Sequence, residues 1–319
     1  MRTIYLDQMQ WIQLARAYHG RSTDPALRAV LDFVIAARET GQARFPLSLA
    51  HYLETAHRGD IASRSRLATV MRELSGGLRL ASPERVVERE IDIALRLEFG
   101  PRVRDRRPFS LVERGLGQLT GVPGRFRLVG SGLAHIAPER IAEVENRANE
   151  MLDEVLLSGV APFATATPPP PSVDTSGPAR KFQAGLAGLA ALHAKMDTAT
   201  RSRAIYAQTM VDIRDAIDEA LVAHGVTWDE FAMLRLEGWM RFLDNMPSRR
   251  VDMHLRRQWA SNASLPAKVT DLNDWAYVGT AVAYCDVVVT ERQLADLANR
   301  PGLTKKAIVI ADIRQLPAV

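Results

Sequence analysis

The chain has 319 residues, 47% of them hydrophobic and 24% charged, enough to bury a large core as one big domain or two ordinary ones. No apolar run reaches the ~20 residues of a membrane span, and the single cysteine, Cys285, excludes an intramolecular disulfide and any cysteine-built metal cluster. The net charge of +4, with a sequence pI of about 9.4, permits a polyanionic partner without demanding one.

Residues 3–7 read as a strand, Ile4-Tyr5-Leu6 ending on Asp7, with no room before it for a signal peptide. Met9, Ile12, Leu14, Ala15 and Ala17 give residues 8–19 an amphipathic helical pattern. A second helix spans 25–40, with Asp24 as N-cap, Pro25 at the first helical position and Gly41 as stop. "ARFPLS" reads as a short strand, and Ser48 caps the helix "LAHYLETAHR". The alternation is that of an opening α/β chain.

From 61 to 160 the pattern is mostly helical, strongest at 61–74, 83–97 and 138–157. The Gly/Pro/Arg-rich piece between the last two reads as a long loop with short elements. "PFATATPPPPSVDTSGP" (162–178) is a Pro-rich connector that cannot be helical. Residues 180–197, 200–224 and 227–245 are again helical. The last fifty residues read as helix ("TDLNDWAYVGTAVAYC"), β-branched strand ("DVVVT"), helix ("ERQLADLANR") and final strand ("AIVIAD"). Strand–helix elements at both ends therefore bracket a helical middle. The expected division is an α/β core from 1–75 and 245–319, with a mostly helical insertion at 76–244.

Ligands of open parallel sheets bind beyond the carboxyl ends of the strands. Asp7 ends the first strand, and Glu291 follows "VVVT". Asp271 and Asp274 open a helix entering over the same edge, three apart and on one face. Glu54 lies two turns into the helix after the second strand. Converging carboxylates repel, and a hard dication makes such a cluster tolerable. All-oxygen ligation suits Mg2+ or Mn2+, the usual apparatus of phosphoryl transfer. Asp286 precedes the strand and reads on geometry as a cap or ion-pair partner at the opposite end. Asp312, after the last strand, is peripheral, and that strand's direction is open.

Taken in order, "IYLDQMQWIQLA", "PLSLAHYLETAHRGD" and "TDLNDWAYVGTAVAYCDVVVTERQL" resemble the motifs of the PIN-like nuclease superfamily over residues 1–75 and 245–316. The resemblance implies a three-layer α/β domain with a short, mostly parallel central sheet. It implies a Mg2+- or Mn2+-dependent endoribonuclease, toxin-like, cytoplasmic, acting on RNA, with an antitoxin-like protein partner or a second copy of itself. It assigns Asp7, Glu54, Asp274 and Glu291 as the catalytic, ion-holding set, with Asp271 as a competitor or second-ion ligand, and it draws Asp286 into the ligands. Two positions depart from the family's pattern: Met9 stands where a small polar residue is common, and Glu291 where Asp is more usual. The rival readings are a non-catalytic interaction module with a degenerate acidic site, and a nuclease or phosphatase acting on DNA or nucleotides.

Two basic stretches complete the expectation. "PSRRVDMHLRRQW" (247–259) offers Arg249, Arg250, Arg256 and Arg257 to phosphates and Trp259 to an unpaired base. "PRVRDRRPF" (101–109) is the weaker one. Ser248 reads as a helix cap. The seven histidines form no metal pattern, and Cys285 reads as a buried thiol in a reducing compartment.

Overall fold

A computed structural model describes residues 1–120, 127–130, 133, 135–158, 177, 180, 184–185, 188, 196–261 and 271–319, with the side chains of 271–274 outside the description. The protein is mixed α/β and mostly helical, with short parallel strands. It divides into two compact units: Met1–Ser82, Leu111–Val173 and Asp312–Val319 form the first, Pro83–Ser110 and Asp174–Ala311 the second. This division falls elsewhere than the expected one. The C-terminal helices and strands group with the helical middle, and only the last eight residues group with the N-terminal strand.

In the first unit, β1 (Arg2–Leu6) pairs in parallel with β2 (Ala43–Arg44), Arg2 opposite Ala43 and Thr3 opposite Arg44. β1 is buried from Thr3 to Leu6, so its β-branched and apolar side chains suit a covered strand rather than an alternating one. Asp7 ends it and caps α1 (Gln8–Tyr18), its Oδ1 accepting from the Gln8 amide at 2.7 Å. α2 (Pro25–Glu39) starts as expected, with the Asp24 carboxylate accepting from the Ala26 amide. α3 (Leu49–Ala56) and α4 (Ile61–Ser75) follow. Trp11 and Leu14 of α1, Val34 of α2, and Met71 of α4 are fully buried, and α1 packs on both α2 and α4.

β3 (Leu78–Leu80) and β4 (Val112–Arg114), which carry no signal in the sequence, form an antiparallel ribbon with Arg79 opposite Glu113. Each is three residues long, too short for a periodic pattern to register. α7 (Pro138–Ser158), preceded by the one-turn α6 (Gly117–Thr120), brings Asp153 to Arg79, which is 1% exposed and ion-paired with it. The C-terminal residues return to this unit: Arg2 donates to the Val319 carbonyl, and Arg314 bridges Asp24 and Asp312.

The second unit is built on α5 (Pro83–Phe99). Its buried Val87, Ile91, Ala94 and Leu95 recur at helical spacing and join the core of helices α8 (Thr198–Asp212), α9 (Arg214–His224), α10 (Trp228–Ala232) and α11 (Arg235–Asp244). The expected helix 200–224 is broken at Ile213, and 227–245 is broken at Met233–Leu234. α12 (Pro247–Ala260) and α13 (Asp271–Tyr284) complete the helices before the strands. β5 (Val287–Val289) and β6 (Ile308–Ile310) pair in parallel, Val288 opposite Val309, which settles the direction of the last strand. α14 (Arg292–Asn299) connects them. Among the described residues, no helix is long and apolar enough to cross a membrane. The Pro-rich connector at 162–178 lies almost wholly outside the described residues, as does most of the expected helix 180–197.

Candidate active site

Asp7 lies where the sequence puts it, at the carboxyl end of a parallel strand. The residue before it, Leu6, is held by His51, which forms no metal pattern in the sequence. His51, in the first turn of α3, is fully buried. Its Nδ1 accepts from the Ser48 amide at 2.8 Å, the reach-back half of a capping box with His in place of the usual Glu or Gln. Nδ1 therefore carries no proton, and Nε2–H donates to the Leu6 carbonyl at 2.8 Å. The ring stacks on Tyr5 of β1, centroids 5.4 Å apart, and meets Trp11 of α1 edge-on at 6.2 Å. Burial pushes the imidazole down to about 3, so it stays neutral and the tautomer is held.

One residue further on, a second joint ties the same elements. Gln8, just after Asp7, donates through Nε2 to Oγ1 of Thr55, just after Glu54, at 2.9 Å with both residues buried. Thus His51 fastens the last residue of β1 to α3, and Gln8–Thr55 fastens the first residue of α1 to α3. Asp7 and Glu54, both half-buried, border this joint. His51 and Glu54 are three apart, on one face of α3. The signal that could have revealed His51 was its place three residues after the capping Ser48.

The other acids belong to the second unit. Glu291 is exposed, at the carboxyl end of β5, and is the N-cap residue of α14 without a side-chain cap bond. Asp286 precedes β5, at the end opposite Glu291, and its carboxylate is 2.9 Å from Lys306 Nζ. This is the ion-pair reading, not the ligand reading. The backbones of Asp271 and Asp274 open α13, and their side chains lie outside the described residues. Among the described residues, no group of three or more His, Cys, Asp or Glu side chains is gathered closely enough to hold a metal ion. Asp312 is peripheral as expected, capping the C-terminal turn through the Arg314 amide.

The basic stretch 247–259 is a core helix rather than an exposed face. Trp259 is 4% exposed and packs on Trp275 with centroids 5.2 Å apart, so its faces are already covered. Arg256 is ion-paired with Asp212 at 2.8 Å and Asp252 at 3.0 Å. Arg257 lies over the Tyr206 ring. Arg250 donates to the Thr304 carbonyl, and Arg249 stands 3.8 Å from Asp252. Each of the five residues expected to receive a nucleic-acid strand thus has a partner inside its own unit. Arg106 of the weaker stretch is likewise paired with buried Asp92. Ser248 is not the cap it was expected to be: the N-cap residue is Met246, and Ser248 lies inside the helix. Its amide and hydroxyl both donate to the buried Glu90 carboxylate, at 2.7 and 2.6 Å.

No family model matches the chain, no curated protein matches it, and no solved structure matches it.

Proposed function

We propose that the chain is a divalent-metal-dependent phosphodiester hydrolase acting on nucleic acid, and specifically an endoribonuclease. The observation that carries this reading is the joint at the end of β1, where a rigid, neutral His51 and the Gln8–Thr55 bond hold Asp7 and Glu54 at the carboxyl edge of a parallel strand. That edge is where α/β folds place their ligands. The donor chemistry fits a hard dication, because Asp7 and Glu54 offer carboxylate oxygen with no thiolate. Mg2+ or Mn2+ bound there would activate water and neutralise charge on a scissile phosphate.

The chain's own contribution is positional. Asp7 Oδ1 accepts from the Gln8 amide at 2.7 Å, which restricts the carboxylate's rotation. Glu54 is carried on a helix whose first turn is locked to β1 through His51. A fixed first contact avoids reorganisation when substrate arrives. The sequence resemblance adds Asp274 and Glu291 to the proposed set, with Asp271 as a second-ion ligand; all three belong to the second unit.

The test incubates the full chain with single-stranded and structured RNA and DNA, in Mn2+ and in EDTA. Mn2+-dependent cleavage of RNA is expected. Asp7→Asn should abolish it, and Asn caps a helix about as well as Asp, so the melting temperature should hold. Glu54→Gln should lose more than the roughly 10–100-fold typical of a change outside the metal's own ligands. Asp274→Asn and Glu291→Gln, made separately, read whether the second unit's acids take part. No cleavage of any substrate, with no metal binding by calorimetry, would overturn the reading in favour of a non-catalytic module.

A further inference from the structure

A cavity of about 200 Å³ opens between α1 and α4 within the first unit. Its α1 wall is made by Ile12, Ala15, Arg16 and His19, positions that share one helical face. The opposite wall brings Arg58, just beyond α3, and Ser63 and Arg66 of α4, while Arg21 closes the rim. Four guanidinium groups thus line one small cavity. They come from positions 16, 21, 58 and 66, so no run of basic residues announces them in the sequence.

The balance of charge inside it is strongly positive. Among the described residues, no carboxylate pairs with Arg16 or Arg21, both exposed. Asp60 is the acidic neighbour. Its oxygens cap α4 through the Ala62 and Ser63 amides, and one stands 3.9 Å from Arg66, beyond a good charge-assisted bond. Arg58 donates through Nη2 to Ser63 at 3.3 Å, yet its Nε is buried with no hydrogen-bond partner. An unsatisfied buried donor is costly unless a ligand supplies an acceptor. His19 donates through Nε2–H to the Arg66 carbonyl at 3.2 Å, which sets its ring on the cavity wall. Planar forks that present several donors to one point match a phosphate group.

We propose that this cavity binds a backbone phosphate of a single-stranded polynucleotide. The proposal deepens the nuclease reading and rests on it for the strand's direction. α1 links the two places: it begins at Asp7 and carries the cavity wall from Ile12 to His19. At ~1.5 Å rise per residue these positions lie roughly 8–18 Å along the axis from Asp7. At about 3.4 Å per nucleotide, that is the reach of about two to five nucleotides of a stacked strand. A strand held by its phosphate in the cavity would run along α1 to the carboxylate edge. This assigns the role of electrostatic anchor to these four arginines, a role the sequence alone had suggested for the helix at 247–259.

The test separates anchoring from cleavage. In the Asp7→Asn background with EDTA present, so that no cleavage occurs, binding of a fluorescent 12-nucleotide single-stranded RNA is followed by anisotropy against salt concentration. Arg16 and Arg21 are exposed, so Arg16→Ala/Arg21→Ala should fold normally, as circular dichroism would verify. The double variant should bind at least about tenfold more weakly, with the slope of log K against log salt shallower by up to about 0.7, the share of one phosphate on a single strand. The Arg16→Lys/Arg21→Lys variant should recover much of the affinity. Unchanged affinity and slope in the alanine variant would overturn the proposal. So would inorganic phosphate displacing the RNA at equal concentration, which would mark a free-phosphate site. Binding lost while Mn2+-dependent cleavage never existed would leave the anchor standing and remove the nuclease reading.

Discussion

Protonating His51 would place a charge among Tyr5, Trp11 and the backbone of β1, and it would destroy the acceptor that Nδ1 offers the Ser48 amide. Burial holds the folded imidazole at about 3, against an ordinary value near 6.5. The sign follows from proton counting. Between about pH 6.5 and 3 the unfolded chain carries a proton on this residue and the folded chain does not. Stability is therefore complete above pH 6.5 and declines as pH falls, by up to about 1.4 kcal/mol per pH unit. His51→Gln keeps an amide donor for the Leu6 carbonyl but cannot be charged. It should be less stable at pH 7, by about 1–3 kcal/mol from lost packing and the orphaned Ser48 amide. Its stability should also change less from pH 6.5 to 5, a window in which most carboxylates remain ionised. Denaturant midpoints measured at half-unit intervals check this; parallel curves for the two proteins would refute it. The sequence displayed Asp7 and Glu54 because each sits at the end or on the face of a recognisable element. It did not display His51, because its function is a hydrogen bond to a backbone carbonyl 45 positions away.

Three helices of the second unit meet on one carboxylate. Glu90 of α5 is 1% exposed and accepts from the Ser248 amide and hydroxyl at the start of α12 and from the Tyr284 hydroxyl at the end of α13, the last at 2.7 Å. Burial pushes the carboxyl up, and the Ser248 and Tyr284 hydrogen bonds and Arg249 pull it back. Burial also raises the Tyr284 phenol, with Glu90 adding to it, so it remains a donor. Glu90→Ala would leave three donors without an acceptor and is expected to destabilise by about 3 kcal/mol or more, whereas Tyr284→Phe removes one donor and should lose about 1 kcal/mol. Thermal or chemical unfolding of both variants decides; a loss for Glu90→Ala no larger than for Tyr284→Phe would show that the carboxylate does not organise the junction. At this scale the sequence was readable where caps and periodicity act locally. The starts of α2 and α3 and the spans of α4, α5 and α7 follow from Asp24, Ser48 and the apolar spacing. The packing of α12 was not legible for a physical reason: arginine has a long apolar stem and a charge that can be matched inside as well as outside. Its matching acids, Asp212 and Asp252, carry no mark of that pairing in the sequence. β3 and β4 were invisible because each is held by the other, more than thirty positions away, rather than by its own pattern.

Over the whole molecule, the chain crosses between its two units after Ser82, Ser110, Val173 and Ala311. Neither unit is a continuous segment, so the N-terminal portion that carries Asp7, Glu54 and the arginine-lined cavity is incomplete without residues that come later. Arg79 shows why. It is 1% exposed, it lies over the Tyr52 ring, and its ion-pair partner Asp153 also accepts from the Tyr52 hydroxyl. A fragment ending at Ser82 keeps Arg79 and Tyr52 but loses Asp153, the β4 partner of β3, and the α7 face against which α3 and α4 pack. Leaving a buried charge without its partner costs about 3–5 kcal/mol, a large part of a domain's net stability. Such a fragment should therefore show no cooperative unfolding transition, despite containing both carboxylates of the candidate site. The full-length Asp153→Asn variant isolates the electrostatic part. It keeps the size of the side chain and an oxygen acceptor for Tyr52, yet removes the charge that compensates Arg79, and it should lower stability by about 3 kcal/mol. Circular dichroism melts of the fragment and the variant test both statements. A fragment of residues 1–82 that melts cooperatively would mean that the N-terminal α/β segment carries its own core, with Arg79 able to reach water once α7 is gone.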